Sequence, residues 1–103
     1  MTEFRILLWN VAWGRSARAR QAIRRACARE LDIVCLTETT DALLAERRNV
    51  LRSAGNHGCP HPGDRQKVAM WSGSGWEKVD RIGHPDLPPG RFLSAVAKGV
   101  RFL

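Results

Sequence analysis

Phe4-Arg5-Ile6-Leu7-Leu8-Trp9-Asn10-Val11, followed one helix-length later by Leu31-Asp32-Ile33-Val34-Cys35-Leu36-Thr37-Glu38-Thr39, is the stretch from which the fold is read. Residues 4–11 are almost continuously apolar, the pattern of a buried strand. Gly14 and Arg15 break it, and Ser16 is a suitable N-cap. Residues 17–30 then carry Ala19, Ala22, Ile23, Ala26 and Cys27 on one helical face. Residues 31–37 form a second apolar run. Strand, helix and strand in this order predict a parallel pair, because two parallel strands need a crossover between them.

Working outward, Thr39, Thr40 and Asp41 offer N-caps for a second helix. Its apolar side would be Leu43, Leu44, Val50, Leu51 and Ala54, with Gly55 as its stop. Residues 56–65 read as a loop. The texture then changes to short strands at 67–71, 76–82, 91–97 and 100–103, separated by Gly and Pro turns. Ser72-Gly73-Ser74-Gly75 reads as a hairpin connection, and residues 83–90 as an irregular loop. No internal repeat or low-complexity tract is present. The last residues, Val100-Arg101-Phe102-Leu103, are an apolar run of the kind usually found inside a sheet. The expectation is a fragment, or one half of something that needs a partner.

Composition narrows the class. A chain of 103 residues suits one domain at most, and 44% hydrophobic with 26% charged residues reads as globular. No apolar run approaches membrane-spanning length and no signal peptide is evident, so a cytoplasmic protein with no membrane association is expected. Cys27, Cys35 and Cys59 are odd in number and irregularly spaced, so no disulfide-linked partner is expected. The net charge of +7 favours phosphate-bearing partners, including nucleic acid. Arg18, Arg20, Arg24, Arg25 and Arg29 line the first helix; a solvated face is the simpler reading of that stripe than a nucleic-acid groove.

Two polar residues stand out against the strands. Asn10 lies near the carboxyl end of the first and Glu38 at the carboxyl end of the second. Parallel pairing puts both at the same sheet edge, where open α/β sheets place their ligands. By alternation Asn10 shares a face with Ile6 and Leu8, and Glu38 with Val34 and Leu36. Neighbouring strands lie roughly 4.8 Å apart, close enough for an amide and a carboxylate to converge on one small cation. Mg²⁺ takes oxygen ligands and is commonly held by one or two carboxylates plus water and phosphate. The plainer alternative is that each residue caps the turn after its strand. Other candidates are weaker. His57, Cys59 and His61, with His84 or Asp64, have zinc-ligand chemistry but not a common finger spacing, and read as part of a Gly/Pro loop. Trp9 and Trp71 read as core, while Trp13 and Trp76 could stack on bases.

The two quoted stretches resemble the first two motifs of the endonuclease/exonuclease/phosphatase superfamily, which includes DNase I-like and exonuclease III-like enzymes. The apolar strand ending in Trp9-Asn10 is similar to the first. Asp32-Ile33-Val34 leading to Leu36-Thr37-Glu38 is similar to the second, with Thr37 where the family usually has Gln. Lys67-Val68-Ala69-Met70-Trp71-Ser72 and Gly90-Arg91-Phe92-Leu93-Ser94-Ala95 resemble two later strands more loosely. The resemblance implies an α/β (α+β) fold: the N-terminal half of a four-layer sandwich with mixed sheets, residues 1–103 forming a partial domain. It implies a divalent-metal role for Asn10 and Glu38 with Mg²⁺, or Mn²⁺, and a phosphate-containing substrate. The family's later His, Asp-Asn and Asp-His motifs are missing, and the sequence has no tyrosine. A catalytically incomplete chain that contributes only the metal cradle is therefore expected. The alternatives are a small basic nucleic-acid-binding module without catalysis, or a truncated product without independent function.

Overall fold

The computed structural model describes residues 4–45, 47–53, 65–87, 90 and 92–103. Among them are seven strands and one α-helix: β1 (Ile6–Asn10), α1 (Ala17–Cys27), β2 (Ile33–Thr40), β3 (Val50–Arg52), β4 (Arg65–Ser72), β5 (Glu77–Asp80), β6 (Ser94–Ala97) and β7 (Val100–Phe102). Single 3-10 turns follow β1 at Ala12–Gly14 and β2 at Asp41–Leu44. The result is a mixed α+β fold with two sheets. The first has strand order β1-β2-β4-β3 and the second β5-β6-β7. No helix among the described residues is long and apolar enough to cross a membrane.

β1 and β2 pair in parallel, with Ile6 opposite Ile33, Leu8 opposite Cys35 and Asn10 opposite Thr37. The helix that makes this crossover possible starts where Ser16 accepts a hydrogen bond from the Ala19 N–H at 3.0 Å. It ends at Cys27, three residues before the predicted end, and buries Ile23 and Cys27. These meet Val34, Leu36 and Ala69 from the sheet and Leu43 and Leu44 from the 3-10 turn. On the opposite face Cys35, Leu51, Val68 and Met70 pack against Leu93, Ala95 and Phe102 of the second sheet and its approach. The first sheet thus sits between a helical layer and a second sheet, and each of its faces has its own core.

Three expectations fail here, each for a physical reason. The predicted second helix is a 3-10 turn followed by strand β3. Leu43, Leu44, Val50 and Leu51 fit a helical stripe in sequence, but Val50 enters the helix-side core while Leu51 enters the other. Consecutive residues on opposite faces require a strand, and Asn49 at φ +59° turns the chain into it. Secondly, Ser72-Gly73-Ser74-Gly75 is a turn but not a hairpin. β4 belongs to the first sheet and β5 to the second, so the turn carries the chain between layers. Thirdly, β1 is not a buried strand. It is an edge strand, and the second sheet covers the other strands of its face but leaves Ile6 44% and Leu8 72% exposed. The apolar pattern could not distinguish a central strand from an edge one.

The second sheet is fixed by local chemistry. Lys98 and Gly99, at φ +50° and +78°, connect Ala97 to its partner Val100. Two central residues with positive φ define the two-residue turn whose twist suits a hairpin. Phe102 stands edge-on to Phe4 at 5.7 Å and to Trp76 at 6.1 Å. The Trp76 indole donates to the Asn49 carbonyl at 2.9 Å. Asp32 ties the layers together at the amino end of β2: it accepts from the Arg5 N–H at 2.8 Å and lies 3.6 Å from the Lys98 ammonium.

Two outcomes follow from this packing. Leu36→Ala should lower stability by about 2–5 kcal/mol, because Leu36 is wholly buried, whereas Leu8→Thr should change it by less than about 1 kcal/mol. Urea denaturation midpoints measure both. The Asp32 carboxyl is held below the usual carboxylate range by the Arg5 N–H, against opposing desolvation and with help from Lys98. Its stabilising contribution is therefore present above the ordinary value of about 3.9 and lost as pH falls through the lower folded value. The stability difference between the wild type and Asp32→Asn should be constant near neutral pH and shrink on acidification.

Candidate metal and phosphate site

The carboxyl edge of the β1–β2 pair gathers the polar residues that the sequence singles out. Asn10 is the last residue of β1 and is exposed. Its Oδ1 accepts the Ala12 N–H at 3.0 Å, closing a side-chain turn that stops the strand. An amide oxygen has two lone pairs, so one acceptor site remains. Glu38 is half-buried, two residues before the end of β2, with φ at +50°. Its carboxylate has no hydrogen-bond or ion-pair partner among the described residues.

The register refines the expected geometry. Asn10 is opposite Thr37, so strict alternation puts Asn10 with Cys35 and Thr37, and Glu38 with Leu36 on the other face. Glu38 does not keep the extended backbone that alternation assumes. Its left-handed φ interrupts the ladder to β4 between the Thr37–Val68 and Thr39–Gln66 pairs. Positive φ at a residue with a Cβ costs roughly 1–2 kcal/mol, and such strain concentrates at ligand sites. Sequence alternation alone could not read this distortion.

On the Asn10 face, the same edge carries Thr39, fully buried, and Gln66, 5% exposed. Gln66 Oε1 is a buried acceptor with no hydrogen-bond partner among the described residues. An unmet buried acceptor costs about 1–3 kcal/mol. Gln66 thus adds an oxygen donor that no sequence motif flagged. Oxygen donors are the right chemistry for Mg²⁺ or Mn²⁺, and an amide plus one carboxylate meets the minimum protein contribution. No group of three or more His, Cys, Asp and Glu residues forms a metal cluster among the described residues. The His57, Cys59 and His61 candidate lies outside the described residues. His84 is exposed, 3.7 Å from Asp86.

A cavity of about 520 Å³ is lined by Trp13, Gly14, Arg15, Arg20, Thr40 and Arg65, among others, and not by Asn10, Glu38 or Gln66. Thr40 is two residues beyond Glu38, roughly 7 Å along an extended strand. The loop that builds it has three successive residues at positive φ: Ala12 at +47°, Trp13 at +69° and Gly14 at +57°. Trp13 is 8% exposed. The Arg65 guanidinium lies 5.2 Å and the Lys67 ammonium 5.3 Å from its ring centre, within cation–π range. Arg20 Nη1 donates to the Gly14 carbonyl at 3.0 Å, so one arginine of the helical stripe turns inward. Arg18, Arg24, Arg25 and Arg29 remain exposed, as a solvated face requires. Arg15, Arg20 and Arg65 have no carboxylate partner among the described residues. Arg15 and Arg20 are five residues apart, just before and within α1, and Arg65 comes from β4, so no single motif marked the three as a set. Trp9, expected in the core, is 38% exposed, and Trp71 is stacked under Arg47 at 4.6 Å.

Comparison with known proteins returned no matching family model, no similar curated protein and no similar solved structure.

Gly14 offers a direct check on the loop. A Cβ there would lie 3.3 Å from Arg20 Cγ and 3.4 Å from a Leu43 methyl, at a φ that favours glycine. Gly14→Ala should destabilise the protein by about 1–2 kcal/mol, measured as a lower urea midpoint with an unchanged m-value.

Proposed function

We propose that the chain contributes the divalent-metal cradle of a Mg²⁺-dependent phosphoesterase site of the endonuclease/exonuclease/phosphatase type, with Asn10 and Glu38 as metal ligands. In this reading residues 1–103 are the N-terminal part of a four-layer sandwich domain and bind, but do not by themselves hydrolyse, a phosphate-containing substrate. The observation that carries the reading is the parallel β1–β2 pairing. It brings Asn10 and Glu38, which has no partner among the described residues, to the same end of the strand pair, and Thr40, two residues beyond Glu38, lines a cavity that three arginines share.

Each residue has a defined task. Glu38 supplies a carboxylate, from a left-handed backbone position that interrupts the regular ladder. Asn10 supplies a neutral oxygen while its second lone pair fixes the turn at Ala12. A bound Mg²⁺ or Mn²⁺ would polarise a phosphoryl oxygen and offset charge on the leaving group. Arg15, Arg20 and Arg65 hold and orient the anion by charge-assisted hydrogen bonds. The same arginines repel a bare cation, so metal affinity should rise when phosphate is present. The reading assigns this chain no general acid or base.

A second reading is a basic nucleic-acid-binding module without catalysis. The exposed Arg18, Arg24, Arg25 and Arg29 of α1 favour it.

The test is a Mg²⁺ titration followed through backbone amide NMR shifts, with and without inorganic phosphate. Saturable shifts at residues 10–12 and 37–39, stronger with phosphate and lost in Glu38→Gln, are expected. Unchanged shifts around Glu38 would exclude the metal reading. Binding to DNA with steep salt dependence and no divalent requirement, carried by the α1 arginines, would favour the second.

A further inference from the structure

We infer that β1 is a self-association edge: two copies of this chain pair their β1 strands antiparallel about a two-fold axis at Leu7, joining two four-stranded sheets into one. The inference rests on sheet order and exposure and is independent of the metal reading. The sheet edges among the described residues are β1, β3, β5 and β7, and they are not alike. An open edge offers unpaired N–H and C=O groups to another chain, so proteins shorten it, charge it, bulge it or cover it. β3 and β7 span three residues each and carry Arg52 and Arg101. β3 is also capped, since Arg81 Nε donates to the Arg52 carbonyl at 3.0 Å. β5 carries Glu77, Lys78 and Asp80, and its pairing with β6 shifts register. β1 has none of these protections. Its five residues, Ile6–Asn10, include no charge and no proline, and they pair with β2 in unbroken register. Ile6 is left 44%, Leu8 72% and Trp9 38% exposed.

The hydrogen bonds to β2 fix which backbone groups are open. The Arg5 carbonyl accepts from the Ile33 N–H at 3.2 Å, and the Val11 N–H donates to the Thr37 carbonyl at 3.0 Å. Odd-numbered residues of this strand therefore address β2, and the N–H and C=O groups of Ile6, Leu8 and Asn10 point outward. In an antiparallel pair, directly opposite residues exchange both bonds or neither. Outward residues must then meet outward residues, which restricts the register. An axis at Leu7 sets Ile6 of each copy opposite Leu8 of the other, so exposed aliphatic side chains cover one another. On the helix side it sets Arg5 opposite Trp9 of the second copy. Arg5 is 73% exposed and lies 3.8 Å from an exposed Glu30. A guanidinium over an indole face is a favourable cross-strand pair.

A second copy is the occupant because the edge complements itself. Arg5, the charge beside the strand, meets an electron-rich ring and not another guanidinium, and Ile6 and Leu8 meet each other. An axis at Leu8 would set Ile6 against Asn10 and leave Arg5 opposite the buried Val11. The exposed portions of residues 5–10 amount to roughly 500 Å² per chain, so a pair covers roughly 1,000 Å², the size of a weak, reversible interface. Each chain has one such edge among the described residues, so pairing closes at two copies and does not grow into a fibre. The net charge of +7 on each copy opposes approach, so association should strengthen as salt is raised.

The experiment is sedimentation equilibrium of the full chain from low micromolar to submillimolar concentration, across a NaCl series. A reversible monomer–dimer equilibrium that tightens with salt is expected. Leu8→Lys puts like charges into the shared ladder and should weaken the dimer by more than about tenfold. Ile82→Lys adds the same charge at a side chain 69% exposed and outside both sheets, and should leave the dimer unchanged. Circular dichroism confirms that both variants are folded. Amide hydrogen exchange of the wild type supplies a readout that non-specific association would not move, and decides the question even without the variants. The Ile6 and Leu8 amides should slow as concentration rises, whereas those of Leu7 and Trp9, already directed at β2, should not change. A monomer at every concentration and salt would overturn the inference. So would a dimer that survives Leu8→Lys, a dimer in which the Ile6 and Leu8 amides gain no protection, or assemblies that grow beyond two copies.

Discussion

The parallel hydrogen-bonded ladder between β1 and β2 is the constraint on which the rest of the molecule depends. Parallel neighbours cannot be joined by a tight turn, so the chain must leave one strand, cross the sheet and return. α1 makes that crossing, and its buried Ile23 and Cys27 seal one face of the sheet. Both strands then end at the same edge, and the segments that follow them must share the space beyond it. The loop at Ala12–Gly14 and the 3-10 turn at Asp41–Leu44 meet there. Leu43 touches the space above Gly14, and Arg20 reaches back from the helix to the Gly14 carbonyl. The cavity is the consequence of two strand ends, a left-handed loop and one inward-turning arginine.

Three of the six non-glycine positive-φ positions among the described residues, and one buried acceptor without a hydrogen bond, lie at this edge. Ala12, Trp13 and Glu38 all occupy left-handed backbone without being glycine. Glu38 lacks a partner among the described residues, and Gln66 Oε1 is buried with none. At the opposite edge, polar groups are satisfied: Asp32 engages both the Arg5 N–H and Lys98.

Much of this was legible in the sequence, and the limits have clear causes. The strand–helix–strand start was readable because long apolar runs flank an amphipathic stretch with a Ser16 cap. The positions of Asn10 and Glu38 near the carboxyl ends of β1 and β2 were readable because each follows an apolar run. The second helix was misread because spacing of seven residues between Leu43–Leu44 and Val50–Leu51 suits a helix as well as a turn and a strand. Only the two cores, which take Val50 and Leu51 in opposite directions, separate these choices. The exposure of β1 was hidden because edge position is a property of sheet order, not of one strand's composition. Arg65 joins Arg15 and Arg20, which are five residues apart, only once the fold brings the start of β4 beside the start of α1. The left-handed turn of Glu38 has no glycine to announce it.

The account stands most directly on whether one cation reads both strand ends at once. Mn²⁺ added at substoichiometric amounts broadens amide resonances in proportion to their closeness to the ion. The account predicts that residues 10–12 and 37–40 broaden together and first, while Arg5 and Asp32 at the far edge stay sharp. Broadening centred on any other part of the molecule, or at one strand end without the other, would contradict it.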